Sequence, residues 1–384
     1  MANCFALFLV QTITESSTGV FISTMNKNQF NLETYNYSLS KELIAQYPLE
    51  KRDESRLLYY QKSKNIINHY KFNRLPDLLS GNDVLILNNT KVIPARFYVT
   101  NDKGKEIEIL LVSSVSPDNL TWKILASPRK RLQTAETLRL RATSLQRATS
   151  LQRATSLRCT TSLLKPIKIL DPDTIRFDSH KDLEIILNQI GQMPLPPYIK
   201  RAPEDIDTSR YQTIFAKEPG AVAAPTASLH FTEEVINRLQ KRGVEVLYIT
   251  LHVGPGTFLP IRTDNISEHK LIPESFYIDK ETWNKIQESK KNKKRIVACG
   301  TTTVRALEYA ARVDKLSGLN GLYITPGFEF KIVDALITNF HLPKTTLLVL
   351  VSTFIGWDKV TKIYNEAIKE KYRFYSYGDV MMVC

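Results

Sequence analysis

Hydrophobic positions along this chain follow two rhythms. From about Phe72 to Ile190 they come as short runs between polar turns, at residues 84–87, 92–97, 107–112, 122–125, 166–170 and 174–177. Short runs of this kind with few helical repeats predict the strands of a small all-β barrel or sandwich. After Gly191 the pattern becomes strand, turn and helix. Thr232 is placed to cap a helix, with Glu233 and Glu234 in its first turn and Gly243 beyond its last periodic residue. Val235, Ile236 and Leu239 give that helix one narrow apolar stripe, and residues 244–251 then alternate as a strand does. Residues 295–299 read as a buried strand, 300–303 as a turn and 304–313 as a helix. Residues 322–325 and 331–338 read as two further strands, ahead of an apolar helix. Before the β-rich part, Ser38 or Ser40 can cap a short helix over 41–46, which Pro48 closes.

These rhythms predict an inserted all-β domain over 72–190 and an α/β domain formed by 32–71 with 191–384. Residues 1–31 read as an N-terminal extension, disordered or an artefact of the assigned start, because Met25 opens a polar stretch that suits an initiator. No basic residue precedes the apolar run from Cys4 to Val10, which argues against a signal peptide. A hexapeptide repeat, R-A-T-S-L-Q, occupies about 139–164. A period of six puts Leu145, Leu151 and Leu157 on no common helical face, so it reads as an expansion tolerated in a surface hairpin.

Composition narrows the function. The chain carries 52 basic and 39 acidic residues, a net charge of +13, and eight of those charges remain without the arginines at 139, 141, 147, 153 and 158. Such a balance suits a polyanionic partner, nucleic acid before an acidic membrane. Cys4, Cys159, Cys299 and Cys384 form no C-x-x-C pair, which argues against a zinc site or disulfide framework and suits a reducing cytoplasm. No apolar run approaches the ~20 residues of a membrane helix.

Candidate chemistry gathers in the turns of the second half. His252 lies just past a strand's carboxyl end, on a turn that contains Gly254 and Gly256, at the edge where α/β proteins bind ligands. Thr226, His230 and Thr232 crowd together upstream. His269 and His341 sit in two more turns, and histidines so placed are general acid–base candidates. None is spaced H-x-x-x-H or H-x-H, so no metal is expected. Gly300-Thr301-Thr302-Thr303 opens a helix and suits a carboxylate or phosphate, with Arg305 as a further contact. No dinucleotide or Walker fingerprint is present. Residues 193–201, M-P-L-P-P-Y-I-K-R, read either as a linker or as a stiff arm presenting Tyr198, Lys200 and Arg201 to RNA.

The chain resembles the S-adenosylmethionine:tRNA ribosyltransferase-isomerase family of queuosine biosynthesis. The matching segments include L-I-A-Q-Y-P-L-E-K-R-D, L-N-N-T-K-V-I-P-A-R, M-P-L-P-P-Y-I-K-R, G-A-V-A-A-P-T-A-S-L-H-F-T, D-A-L-I-T-N-F-H-L-P-K and Y-R-F-Y-S-Y-G-D, over about 35–384. Departures are Pro255, the hexapeptide repeat and the residues before Met25. The resemblance implies an α/β barrel-like domain with an inserted β-barrel; the cysteine usage leads to a cytoplasmic setting, and nothing in the sequence demands more than a monomer. It implies transfer and isomerisation of the ribosyl moiety of S-adenosylmethionine onto 7-aminomethyl-7-deazaguanine in the anticodon loop of tRNA. The products are epoxyqueuosine-tRNA, adenine and methionine.

Such chemistry requires a base, a proton donor and a carboxylate clamp. His252 or His230 is assigned as base and acid, with Glu268 and His269 as the alternative pair. Thr301, Thr302 and Arg305 are assigned to the methionine carboxylate, and Phe258 or Phe340 to the sulfonium. Thr226, Gly254, Gly256, Asn339 and His341 complete the expected donor site. Lys51, Arg52, Arg56, Lys91, Arg96, Tyr198, Lys200, Arg201 and Lys344 are the tRNA candidates. The competing readings are a non-catalytic or degenerate tRNA-binding protein and an RNA methyltransferase, which would need a glycine-rich loop that is not visible.

Overall fold

The structure is a computed structural model that describes residues 29–133, 135, 137–140 and 166–384. Along the described chain, β1 (Arg56–Gln61), β2 (Ile66–Lys71), β3 (Asp83–Asn88) and β4 (Thr90–Val92) come first. Next are β5 (Arg96–Asn101), β6 (Glu106–Ser114), β7 (Thr121–Ser127), β8 (Thr137–Leu140), β9 (Ile167–Asp171) and β10 (Thr174–Arg176). The remainder are β11 (Glu218–Ala221), β12 (Glu245–Leu251), β13 (Glu274–Tyr277), β14 (Arg295–Cys299), β15 (Ser317–Asn320), β16 (Ala335–Asn339) and β17 (Val380–Val383). Five longer helices accompany them: α1 (Glu233–Lys241), α2 (Lys280–Lys291), α3 (Thr301–Val313), α4 (Thr346–Ile355) and α5 (Trp357–Lys369).

The larger body is a nine-stranded mixed sheet in the order β15-β13-β12-β3-β14-β16-β17-β1-β2. Its centre, β12-β3-β14-β16, is parallel throughout. Alternate residues of each central strand feed opposite faces. Leu85, Leu87, Val297 and Ile337 pack beneath Phe231, Val235 and Leu239. Val84, Ile86, Ala298 and Leu336 pack beneath the apolar sides of α2, α3, α4 and α5. Burial on both faces explains why residues 84–87 read as one continuous apolar run.

The smaller body is a closed six-stranded barrel, β10-β7-β6-β5-β8-β9, filled by residues such as Phe97, Ile109, Trp122, Leu138 and Phe177. Its entry strand β5 meets the segment that leaves it. Arg96 and Gln192 exchange main-chain hydrogen bonds of 3.3 and 2.8 Å. A Cβ at Gly191 would lie 2.0 Å from the Pro94 carbonyl oxygen, so only glycine allows that crossing. β3, which the 72–190 boundary assigns to the inserted segment, pairs instead with β12 and β14 in the large sheet.

Three local expectations change. The predicted strand at 322–325 is not a strand, and β15 lies just before it; Leu322 donates its N–H to Asn320 Oδ1, and its carbonyl accepts from Arg305 Nε. The strand predicted from 331 begins at Ala335, because the Glu308 carboxylate captures the N–H groups of Lys331, Ile332 and Val333 at 2.9, 2.9 and 3.0 Å. The helix at 41–46 is a single 3-10 turn, Lys41–Leu43. Of the expected extension, residues 1–28 lie outside the described residues, whereas Asn31 bridges to Asn265 and Tyr35 donates to the Gln29 carbonyl. The repeat lies outside the described residues from 141 to 165. Its flanks are paired side by side, Thr137 with Lys168 and Leu138 with Ile167.

Candidate active site at the carboxyl edge of the parallel strands

The carboxyl ends of β12, β14 and β16 open into a cleft of about 450 Å³. It unites Thr226, Thr301, Thr302, Asn339 and His341 from the expected set and adds Thr257, Thr338, Tyr375 and Ser376. Gly300 turns β14 into α3 at φ +93°, a conformation that suits glycine. The turn brings the amino terminus of a 13-residue helix to the cleft wall, where first-turn N–H groups and the helix dipole favour an anion.

A polar chain crosses the floor. Thr226 donates to Asn339 Oδ1 at 2.8 Å, and Asn339 Nδ2 donates to the Asp379 carbonyl at 3.2 Å. The same amide nitrogen lies 3.5 Å from His230 Nε2. Burial pushes the His230 imidazole down to about 3; a hydrogen bond with the Arg52 main chain opposes the shift, and the charges of Arg373, Arg52 and Arg210 add to it. His341 sits 3.0 Å from the Thr338 hydroxyl, and burial also pushes it down to about 3. Both rings are therefore neutral at physiological pH.

His252 occupies a more open position. Its Nδ1 lies 2.8 Å from Thr90 Oγ1, and the ring packs so closely on Gly220 that a Cβ there would come within 2.9 Å of it. Burial lowers its pKa while Glu218 opposes the shift, so it too is a neutral imidazole at pH 7. His252 is not among the residues that line the cleft, whereas its neighbour Val253 is.

Other expected residues lie elsewhere. Arg305 is buried with Glu274 at 2.6 Å and also donates to the Leu322 carbonyl, so it does not offer a free guanidinium to a carboxylate. The other Glu274 oxygen accepts from Gly254 N–H at 2.8 Å and Thr257 Oγ1 at 3.0 Å, so the pair braces the loop after His252. Phe340 points into the core among Tyr364, Tyr372 and Phe374, not toward the cleft. Glu268 is exposed, and His269 packs edge-on against Tyr323; neither lines the cleft. Gly256 rests against Ile272. The Phe258 side chain lies outside the described residues.

The basic candidates divide in the same way. Lys51, Lys91 and Lys200 are exposed. Arg56 stacks over Tyr372, Arg96 pairs with Glu108, Arg201 forks onto Asp207 at 2.6 and 2.7 Å, and Lys344 meets Glu33 at 2.5 Å. Tyr198 is a buried wall residue of the cleft, hydrogen-bonded to Ser376, rather than a surface platform. Pro194 to Pro197 line a separate cleft of about 720 Å³ against the barrel, so this segment is a shared wall rather than a linker.

Sequence reasoning passed over Tyr375 and Ser376, although they lie in the Y-R-F-Y-S-Y-G-D run. Tyr375 holds φ +72°, unusual for a bulky residue and typical of functional turns. A Cβ at Gly378 would lie 2.5 Å from the Arg373 carbonyl oxygen, which fixes that tight turn. Among the described residues, no group of three His, Cys, Asp or Glu is placed to hold a metal ion, and no helix is long and apolar enough to cross a membrane.

A polar cleft at the carboxyl edge of parallel strands, beside a helix amino terminus and an inserted barrel, defines an α/β enzyme with a small-molecule site. The chain belongs to the family described as queuosine biosynthesis protein, which matches residues 32–383. The S-adenosylmethionine:tRNA ribosyltransferase-isomerase of Carboxydothermus hydrogenoformans is 44% identical over 355 residues, 92% of this chain and 99% of that protein. The enzyme of the same name from Aquifex aeolicus is 43% identical over 352 residues, again 92% and 99%. The crystal structure of an S-adenosylmethionine tRNA ribosyltransferase from Thermotoga maritima superposes with a TM-score of 0.50 at 34% identity, covering 93% of this chain and all of that one.

Proposed function

We propose that this chain transfers and isomerises the ribosyl moiety of S-adenosylmethionine onto 7-aminomethyl-7-deazaguanine in tRNA, forming epoxyqueuosine-tRNA and releasing adenine and methionine. The observation that carries the reading is 44% identity to a ribosyltransferase-isomerase along nearly its whole length. The cleft supports it by its place, at the carboxyl edge of the parallel strands and against the amino terminus of α3.

The sulfonium acidifies the adjacent 5′ carbon, so removal of a proton there begins expulsion of adenine. His252 is our candidate base, because burial keeps its imidazole neutral at pH 7 while leaving it partly accessible, and Thr90 orients it. His230, buried and held neutral, positions Asn339 rather than donating a proton. Thr301, Thr302 and the α3 amino terminus hold the methionine carboxylate, whereas Arg305 fixes the loop through Glu274. The exposed Lys51, Lys91 and Lys200 meet tRNA phosphates around the anticodon loop.

In the same reading the domains exchange near 93–95 and 191, and the large sheet curls toward a barrel-like form; nine twisted strands approach the number at which open sheets curl. The protein works as a cytoplasmic monomer, a setting that the unpaired Cys299 and Cys384 suit. The test is chromatography of a reaction with S-adenosylmethionine and tRNA bearing the aminomethyl-deazaguanine base. Adenine and methionine in equal amounts are expected. S-adenosylhomocysteine instead would indicate a methyltransferase, and bound tRNA with no product a non-catalytic binder.

A further inference from the structure

Next to the cleft, with Ser376 in the wall of both, lies a second depression of about 280 Å³ lined by Arg52, Arg210, His230 and Tyr377. Main-chain carbonyls fix both guanidiniums in place. Arg52 donates to Leu229 at 3.0 Å and Ser209 at 2.6 Å; Arg210 donates to Glu50 at 2.9 Å and Leu49 at 2.6 Å. Carbonyls satisfy the geometry of N–H groups but do not cancel the charge. No carboxylate is among the groups acting on either guanidinium; Arg52 feels burial first and then repulsion from Arg210. Arg373 adds a third cation near His230, offset in part by Asp379. Arg210 Nε is buried without a hydrogen-bond partner, and Arg373 lies outside the lining of the depression. Like charges held together are destabilising, and an anion seated between Arg52 and Arg210 would relieve their repulsion.

We propose that this depression binds a phosphodiester group of the tRNA substrate, adjacent to the nucleotide whose base enters the cleft. The proposal rests on the reading of the substrate as tRNA and adds the place where its backbone is gripped. Two fixed, fork-shaped guanidiniums match the paired oxygens of a phosphodiester. A carboxylate shares that chemistry, and the methionine end of the donor is its other source. The α3 amino terminus already offers the donor a carboxylate site in the main cleft. The hydrogen-bonded Tyr198–Ser376 pair and the Asn339–His230 contact stand between the two spaces. The phosphodiester is therefore the occupant assigned to the depression.

The experiment compares wild type with Arg210→Ala and Arg52→Gln in the full chain. It reads tRNA affinity across a salt series without donor, and separately the KM for S-adenosylmethionine. Each variant is expected to weaken tRNA about tenfold and to make the salt slope shallower by about one, with an unchanged donor KM. Arg210→Lys, which keeps the charge but not the fork, is expected to fall between. A role limited to bracing residues 49–50 would lower stability without moving the salt slope, and would overturn the proposal. A raised donor KM with unchanged tRNA affinity would assign the site to the carboxylate, and also overturn it.

If Arg210→Ala does not fold, inorganic phosphate is titrated against wild-type tRNA binding at constant ionic strength. It is expected to compete more strongly than chloride, and equal competition would refute the site. Adenine release by wild type is recorded in parallel. Its absence counts against the proposed reaction, whereas an unchanged salt slope counts against the phosphate site alone.

Discussion

The nine-stranded sheet and the six-stranded barrel are built from similar apolar residues, yet they use them differently. In the sheet, the central parallel strands are buried on both faces, so their polar ends converge at one edge, where Thr226, Thr301, Asn339 and His341 meet. In the barrel, the antiparallel strands bury one face and expose the other, and neighbouring strands send their ends to opposite rims. The described barrel core is apolar and carries none of the residues gathered in the cleft. Parallel strands collect chemistry at one edge, whereas the described barrel strands do not. Strands β8 and β9 still pair across the 26-residue interval 141–166 that separates them in sequence.

The comparison would be broken most severely at the Glu274–Arg305 pair. Glu274→Ala leaves a buried guanidinium unpaired and frees the loop that follows His252, and is expected to cost about 3–5 kcal/mol of stability. Urea unfolding checks this, and a loss below ~1 kcal/mol would refute the brace. Acid acts next. His230 and His341 have folded pKa values near 3, below the unfolded value of about 6.5. Their neutral forms are compatible with folding above pH 6.5. As pH falls from there toward 3, the unfolded chain binds protons that the folded one does not, and stability declines. Melting temperature against pH should show that decline; a flat profile from pH 6.5 to 4 would contradict it.

A smaller perturbation sharpens the catalytic side of the contrast. Gly220→Ala pushes against the His252 ring and is expected to reduce turnover about 10²-fold with little effect on tRNA binding. Measured single-turnover rates decide this. The least effect belongs to the barrel. Replacing residues 141–165 with Asn-Gly joins β8 to β9 through a short hairpin and should leave stability within ~0.5 kcal/mol and turnover unchanged. A large loss of turnover would give the repeat region a role that the comparison denies it.

Much of this division was legible in the sequence because it is written in local periodicity. Thr232 caps α1 by accepting from Val235 N–H, and Gly243 follows at φ +78°, as the pattern predicted. The turn residues Thr226, Thr301, Asn339 and His341 were also legible, since each sits at a strand or helix end. Phe340 was misplaced for a reason visible in hindsight: successive extended residues face opposite sides, so Asn339 and His341 face the cleft while Phe340 enters the core. Arg305 was beyond reach, because its partner Glu274 lies 31 positions away and only the folded chain brings them together. The strand starting at Ala335 was misjudged for the same kind of reason, since Glu308 on α3 takes three N–H groups that a ladder would otherwise use. Arg210 and Arg373 carried no local signal that set them apart from other surface arginines.

The central claim is that ribosyl transfer takes place at the carboxyl edge of the parallel strands, with His252 as its base. Adenine release by His252→Ala, with tRNA binding measured on the same preparation, tests it most directly. The account predicts a loss of release of at least about 10²-fold with tRNA affinity intact. Undiminished release would contradict it and move the base elsewhere in the molecule.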